Sequence, residues 1–499
     1  MEQAAADGER QAGIAPPPAK AEPLPLRIKL ANGFGAVAFG VKDNGFAVFL
    51  LLYYNQVLGM NAATVSLALM LALVIDACID PLLGNLSDRT YTRWGRRLPW
   101  MYAAAVPLGI MWAVLWALPG AGPGEEPSFW RLLALAVTVR LLLSMVEVPS
   151  AALVPELTRD YDERTDLFRW RNLLGWAGAL VMLLLTYGVF LSDGLLEREG
   201  YAAFGIFGGV LITFSVLVSA LFQHKRVARY PAHRHGAFTL RGAFGEIREA
   251  FSERAFLILA AGSVAAYVSQ GLTFAMINYL YLFVWRFTPA AFNILPFVLF
   301  ASIVAVFLTV GALHRRWGKA KTASRIVLLG VAFWLTPYTL YLLDLWPEPG
   351  GAASTVLIFA FLIVANWASV VVLLSGSSMV AEIVEAFEER TGRRAEGSFY
   401  SGNWFVQKCA GGIGIFAAGL IVSFAGLPDG AQPGQVAEAA VDTLVLTFGA
   451  VTLTLACIAS FWLARFPIDR ADHERRLAAL AAAHDANGLQ PPAQAGIRP

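Results

Sequence analysis

Apolar residues come in long, nearly unbroken runs, near 31–57, 63–86, 99–119, 130–157, 172–192, 201–223, 255–284, 290–313, 325–345, 353–383, 400–425 and 441–465. A helix crosses a hydrocarbon core about 30 Å thick with about 20 residues at about 1.5 Å each, and these runs are of that length. Inside lipid a helix satisfies all of its backbone groups within one segment, so the pattern predicts twelve transmembrane helices. The connections alternate in charge. One set carries Arg89, Arg93, Arg96 and Arg97, then Arg159, Arg164, Arg169 and Arg171, then the stretch from His224 to Arg254, then Arg315, Arg316, Lys319 and Lys321, then Arg390, Arg393 and Arg394. The other set, such as PGAGPGEEPS and LWPEPGG, holds acids, glycines and prolines with few bases. The excess of bases assigns the first set to the cytoplasm, with both termini on that side.

The basic stretch 224–254 divides the runs six and six, predicting an N-terminal half over 27–223 and a C-terminal half over 255–466. A faint repeat crosses it. Gly84, Asp88 and Arg89 after run two resemble Gly311, Arg315 and Arg316 after run eight, 227 residues on. Ser144-Met145-Val146-Glu147 has a weaker echo in Ser378-Met379-Val380-Ala381-Glu382. Two parallel six-helix halves are the pattern of major facilitator transporters, so the expected fold is an all-α membrane protein of two pseudo-symmetric halves.

Composition agrees. Of 499 residues 57% are hydrophobic and 15% charged, with mean hydropathy +0.58, which excludes an ordinary soluble globular domain. The net charge of +2 offers nothing to nucleic acid, since the bases are sorted by side rather than in excess. Cys78, Cys409 and Cys457 fall in apolar runs and suggest no disulfide framework. Residues 1–26, rich in Ala and Pro without an apolar signal core, are expected to be a disordered cytoplasmic tail, and 467–499 a soluble appendage.

Against this apolar background the ionisable residues stand out. Asp76 and Asp80 share one helix face one turn apart. Counted back from Asp88 they lie about 18 and 12 Å into the membrane, where an acid facing lipid costs a few kcal/mol. They must therefore face protein or water. Pro81 lacks an N–H and frees the carbonyl of Ala77, as Pro149 frees that of Met145. Lys42 and Asp43 in run one, Glu147 in run four and Lys408 in run eleven reach similar depth. Arg140 and Ser144 share the face of Glu147. The set reads as a cation site with a switchable countercharge. A bound Na⁺ or proton relieves repulsion between the acids, and Lys408 does so when the cation leaves. No resident cofactor is expected.

Structural readings stand beside these. The acid pair with Lys408 could be a buried salt bridge that fixes helix register, and Lys42 could simply partner Asp43 or a neighbouring helix. Arg140, nearer the outer surface, is expected to snorkel or gate rather than touch substrate. Trp404, Tyr53 and Tyr54 could stack on a ligand or pack. Gly411, Gly412 and Gly414 permit close helix approach. Asp88, Arg89 and Arg96 mark topology and could form an inner-face charge latch.

Four stretches then carry a resemblance over residues 27–466: GFGAVAFGVKD, DACIDPLLGNLSDRTYTRWGRRLPW, VEVPSAALVPELTRDYDERTDLFRWRN and RTGRRAEGSFYSGNWFVQK. In this order they resemble the glycoside–pentoside–hexuronide:cation symporter family of the major facilitator superfamily. The resemblance implies that Asp76 and Asp80 are the cation-binding acids, Asp43 a sugar-contacting acid and Lys408 the lysine that partners the acids. It further implies that Glu147 stands for an aspartate coupling sugar to cation, and that Arg171 is the helix-five arginine near the sugar. Ile79 departs from a cation-linked asparagine, Ser144 replaces a threonine, and Ala151 replaces a tryptophan of the sugar site. Sodium coordination is thereby weakened while protonation remains open.

The expectation is a symporter in a bacterial-type inner membrane that acts as a monomer and moves a sugar or glycoside with H⁺ or Na⁺. Asp76, Asp80, Ser144 and Glu147 would hold the cation, Asp43, Glu147, Arg171 and Trp404 the substrate, and Lys408 with Lys42 would couple them. A same-fold carrier of a non-sugar solute such as a lysolipid is the alternative. A membrane enzyme or sensor fits poorly, for the sequence has no clustered His/Cys set and no nucleotide loop.

Overall fold

A computed structural model describes residues 24–120, 127–158, 160–227, 245, 248–392, 395–468 and 475. Most of both predicted tails, most of the central basic stretch, and Arg159, Arg393 and Arg394 lie outside the described residues. Among the described residues twelve helices are long and apolar enough to cross a membrane. They are α1 (Leu26–Val57), α2 (Ala62–Asp88), α3 (Leu98–Ala117), α4 (Phe129–Ala152), α5 (Glu163–Phe190), α6 (Arg198–Val227), α7 (Arg254–Val284), α8 (Pro289–Trp317), α9 (Lys319–Leu342), α10 (Ala352–Thr391), α11 (Glu396–Phe424) and α12 (Glu438–Leu463).

The helices overrun the apolar runs where polar residues find partners. Asp160 accepts a hydrogen bond from the Glu163 backbone N–H (2.9 Å) and starts α5 nine residues early, so Arg171 lies inside a span and not in a loop. His224, expected in the central stretch, lies instead within α6, where its ring meets the Tyr102 hydroxyl at 3.0 Å. Pro155 ends continuity at the other side of the α4–α5 connection, leaving a separate turn at Val154–Leu157. Gly318, at φ 75°, takes the left-handed backbone that lets α8 turn directly into α9.

Packing repeats from half to half. In the first, α1 packs on α5 and α6, α2 on α4, and α3 on α4 and α6; in the second, α7 packs on α11 and α12, α8 on α10, and α9 on α10 and α12. Between halves, α2 lies along α11, α5 along α8, and α1 against α7. Two parallel six-helix units related in this way are the major facilitator arrangement. Glycine permits the closest of these contacts. A Cβ on Gly419 of α11 would sit 2.0 Å from the Ser66 hydroxyl, and one on Gly412 would sit 3.2 Å from Leu73 Cβ, both on α2. A Cβ on Gly414 would strike the Val268 carbonyl of α7 at 2.2 Å. Without a hydrophobic force between helices in lipid, such close backbone approach supplies the packing energy.

The end of the bundle away from the basic connections is sealed across the halves. Asn55 donates to Asp429 Oδ1 and to the Met60 carbonyl, both at 2.7 Å, and accepts from the Tyr279 hydroxyl at 2.8 Å. Gln56 accepts from the Ala431 N–H at 2.8 Å, and Tyr187 donates to Asn278 at 3.0 Å. At the basic end Lys29 pairs with Asp166 (2.6 Å), Arg96 with Glu156 (2.6 Å) and Lys319 with Glu382 (2.9 Å), each pair lying within one half.

Candidate functional site

The mid-membrane charges gather where α1, α2, α4, α5 and α11 converge. Asp76 and Asp80 stack on the face of α2 turned toward α4 and α11. From α4, Arg140 Nη1 reaches Asp76 Oδ2 at 2.9 Å, and one turn on the Ser144 Oγ lies 2.6 Å from both Asp76 Oδ1 and Asp80 Oδ1. From α11, Lys408 Nζ stands 2.9 Å from Asp76 Oδ2 and hydrogen-bonds Asp80 Oδ2. Asp76 is 2% exposed, so these partners are what compensate its removal from water.

Arg140 departs from expectation. Its long side chain does not snorkel outward; it is buried, bends to Asp76 and lies over the Phe46 ring at 4.7 Å. Counting depth along α4 missed it because an arginine spans more than a helical turn and is drawn to the nearest buried carboxylate. The i, i+4 spacing of Arg140 and Ser144 matches that of Asp76 and Asp80, and this was the signal available in the sequence.

A second group opens beside the first. Lys42 Nζ lies 2.8 Å from Asp43 Oδ1 and 3.8 Å from Glu147 Oε2, so it joins α1 to α4 and takes both partnerships at once. The Asp43 side chain is 69% exposed. Arg171 is buried, donates to Ser150 Oγ at 2.7 Å and covers the Phe39 ring at 5.0 Å, which fixes its guanidinium next to α4 and α1. Trp404 sits one turn before Lys408 on the same face of α11 and is 51% exposed. The exposed edges of this group are acid and aromatic surface, the chemistry that holds sugar hydroxyls and the apolar face of a sugar ring.

The remaining candidates fall elsewhere. Tyr53 and Tyr54 donate to the carbonyls of Trp116 (2.7 Å) and Leu115 (2.8 Å) in a buried cluster, so they pack. Asp88 pairs with Arg97, which also meets Glu156 at 3.0 Å beside Arg96. Arg97 belongs to the 89–97 stretch expected as a latch, and Glu156 joins that basic-end network without having had a role in the sequence. Arg89 closes the last turn of α2 through its backbone N–H to Leu86 O at 3.2 Å.

The family described as MFS/sugar transport protein matches residues 31–470. The chain is 25% identical to the uncharacterized symporter sll1374 of Synechocystis, over 81% of this chain and 87% of that one. It is also 25% identical to the putative glycoside/cation symporter YagG of Escherichia coli, over 80% of this chain and 83% of that one. In fold it resembles the xylose transporter XylE from E. coli in its inward open conformation, with a TM-score of 0.58 at 13% identity, over 91% of this chain and 99% of that one.

Proposed function

Because this chain belongs to the MFS/sugar transport protein family, we propose that it is a secondary transporter carrying a sugar or glycoside with a monovalent cation by alternating access. The observation that carries this reading is the Asp76–Ser144–Asp80 cluster bridged by Lys408, the charge on α11 that crosses from the C-terminal half. A cation arriving at the acids competes with Lys408. Its occupancy therefore changes the tie between α2 and α11 and, one turn away, the setting of Trp404. Asp43, Glu147, Lys42 and Arg171 supply acceptors and donors for substrate hydroxyls, with Glu147 on the same helix as Ser144 linking the two groups.

The basic end is read as cytoplasmic in a bacterial inner membrane. The seal of Asn55, Gln56 and Asp429 then faces outward, and the conformation is one closed to the outside. Names of relatives such as the glycoside/cation symporter support the sugar class. Uptake over a panel of sugars in membrane vesicles, with proton and sodium gradients imposed separately, tests the reading. Accumulation of one sugar class under a cation gradient, lost in Asp76→Cys, is expected. Cation-driven accumulation that survives Asp76→Cys would overturn the cation assignment.

A further inference from the structure

We propose that Arg140 is a built-in cation that closes the carboxylate pair to Na⁺. This deepens, and rests on, the reading of the chain as a cation-coupled carrier.

A metal cation held between two carboxylates needs oxygen lone pairs from both. On Asp76 three of about four are taken. Oδ2 meets Arg140 at 2.9 Å and Lys408 at 2.9 Å, and Oδ1 meets Ser144 at 2.6 Å. Lys408 is a flexible ammonium that can leave. Arg140 is a guanidinium held in place by burial and by the Phe46 ring. With Lys408 alone, two acids would be one positive charge short, which is what a monovalent metal ion supplies. Arg140 supplies that charge permanently. Ile79, between the acids, adds no oxygen.

The Ser144 hydroxyl, 2.6 Å from an oxygen of each acid, ties both to α4 beside Arg140. The other charges turned to this cluster are Lys42 and Asp43 from α1, Glu147 from α4 and Arg171 from α5. Counted with Asp76, Asp80, Arg140 and Lys408, acids and bases balance with no metal ion added.

The test uses the purified full chain and Na⁺ itself as probe, with Tm measured in NaCl against choline chloride at equal ionic strength. Wild type is expected to be indifferent. Arg140→Gln is expected to gain a Na⁺-dependent rise on the order of 3 °C at saturating salt. Arg140→Lys, which keeps the charge, is expected to stay indifferent. A Na⁺-dependent rise in wild type overturns the proposal even if Arg140→Gln fails to fold, and so does a folded Arg140→Gln that ignores Na⁺. Absence of any sugar accumulation under either gradient would instead sink the carrier reading and leave the Na⁺ comparison to decide the role of Arg140.

Discussion

In the N-terminal half α2 carries Asp76 and Asp80 at mid-membrane, and α4 meets them with Arg140 and Ser144. In the C-terminal half, 227 residues on, α8 carries Ile303 and Phe307 at the matching places, and the echoing acid of α10, Glu382, pairs with Lys319 at the basic end. The helices pack in the same pattern in both halves, so the scaffold does not require the mid-membrane charges. The difference separates architecture from chemistry. One half holds a charged machine, and the other sends Lys408 into it. Lys408 pairs with both Asp76 and Asp80 across the interface, so in the proposed reading ion occupancy in one half sets how firmly the other is held.

The largest way to break this contrast is Asp76→Ala. It leaves Arg140 and the Asp76 arm of Lys408 buried without a counterion, at a cost of about 3–5 kcal/mol, read as a fall in Tm and in folded yield. Glu382→Gln should cost less, about 1–3 kcal/mol, and leave uptake in place, because its partner Lys319 is partly in water. Equal losses of stability and uptake in the two variants would mean that the halves share the work after all.

Next in size is Lys408→Gln. If Lys408 reports ion occupancy to the second half, gradient-driven accumulation should fall about 5- to 150-fold, the usual range of a coupling energy, while sugar exchange without a gradient persists. Loss of exchange and accumulation together would place Lys408 in substrate binding instead.

Much of this was legible in the sequence. Apolar runs of spanning length and the alternation of bases fixed twelve helices, because lipid allows a segment few other ways to satisfy its backbone. The costly acids Asp76, Asp80 and Glu147 announced themselves for the same reason. The partners were harder. Arg140 counted as shallow from its Cα, although its side chain ends at Asp76, and Glu156 fell at the end of the apolar run 130–157 with no role, whereas the break of α4 at Leu153 turns it toward Arg96 and Arg97. Depth along a helix is one-dimensional, whereas a long side chain chooses among neighbours in three. The amides of the seal, Asn55 and Gln56, had no sequence signal, since neutral side chains at a helix end carry no telling period, and their partner Asp429 stood as one more acid in a connection.

The smallest expected effect separates bonds between halves from bonds within one. Asn55 ties α1 to α7 through Tyr279 and to the α11–α12 connection through Asp429, whereas the Tyr53 hydroxyl donates to the Trp116 carbonyl inside the N-terminal half. Each hydrogen bond lost is worth about 1 kcal/mol net. Only the first kind of loss should shift the balance toward opening at the sealed end. With Cys78, Cys409 and Cys457 replaced by serine and a cysteine introduced at the buried Leu427, Asn55→Ala should raise the rate of labelling by a membrane-impermeant maleimide about fivefold. Tyr53→Phe should leave that rate unchanged while lowering Tm by a comparable amount. If both variants accelerated labelling alike, the seal would be set by general packing of the first half, and the cross-half amides would have no special part in it.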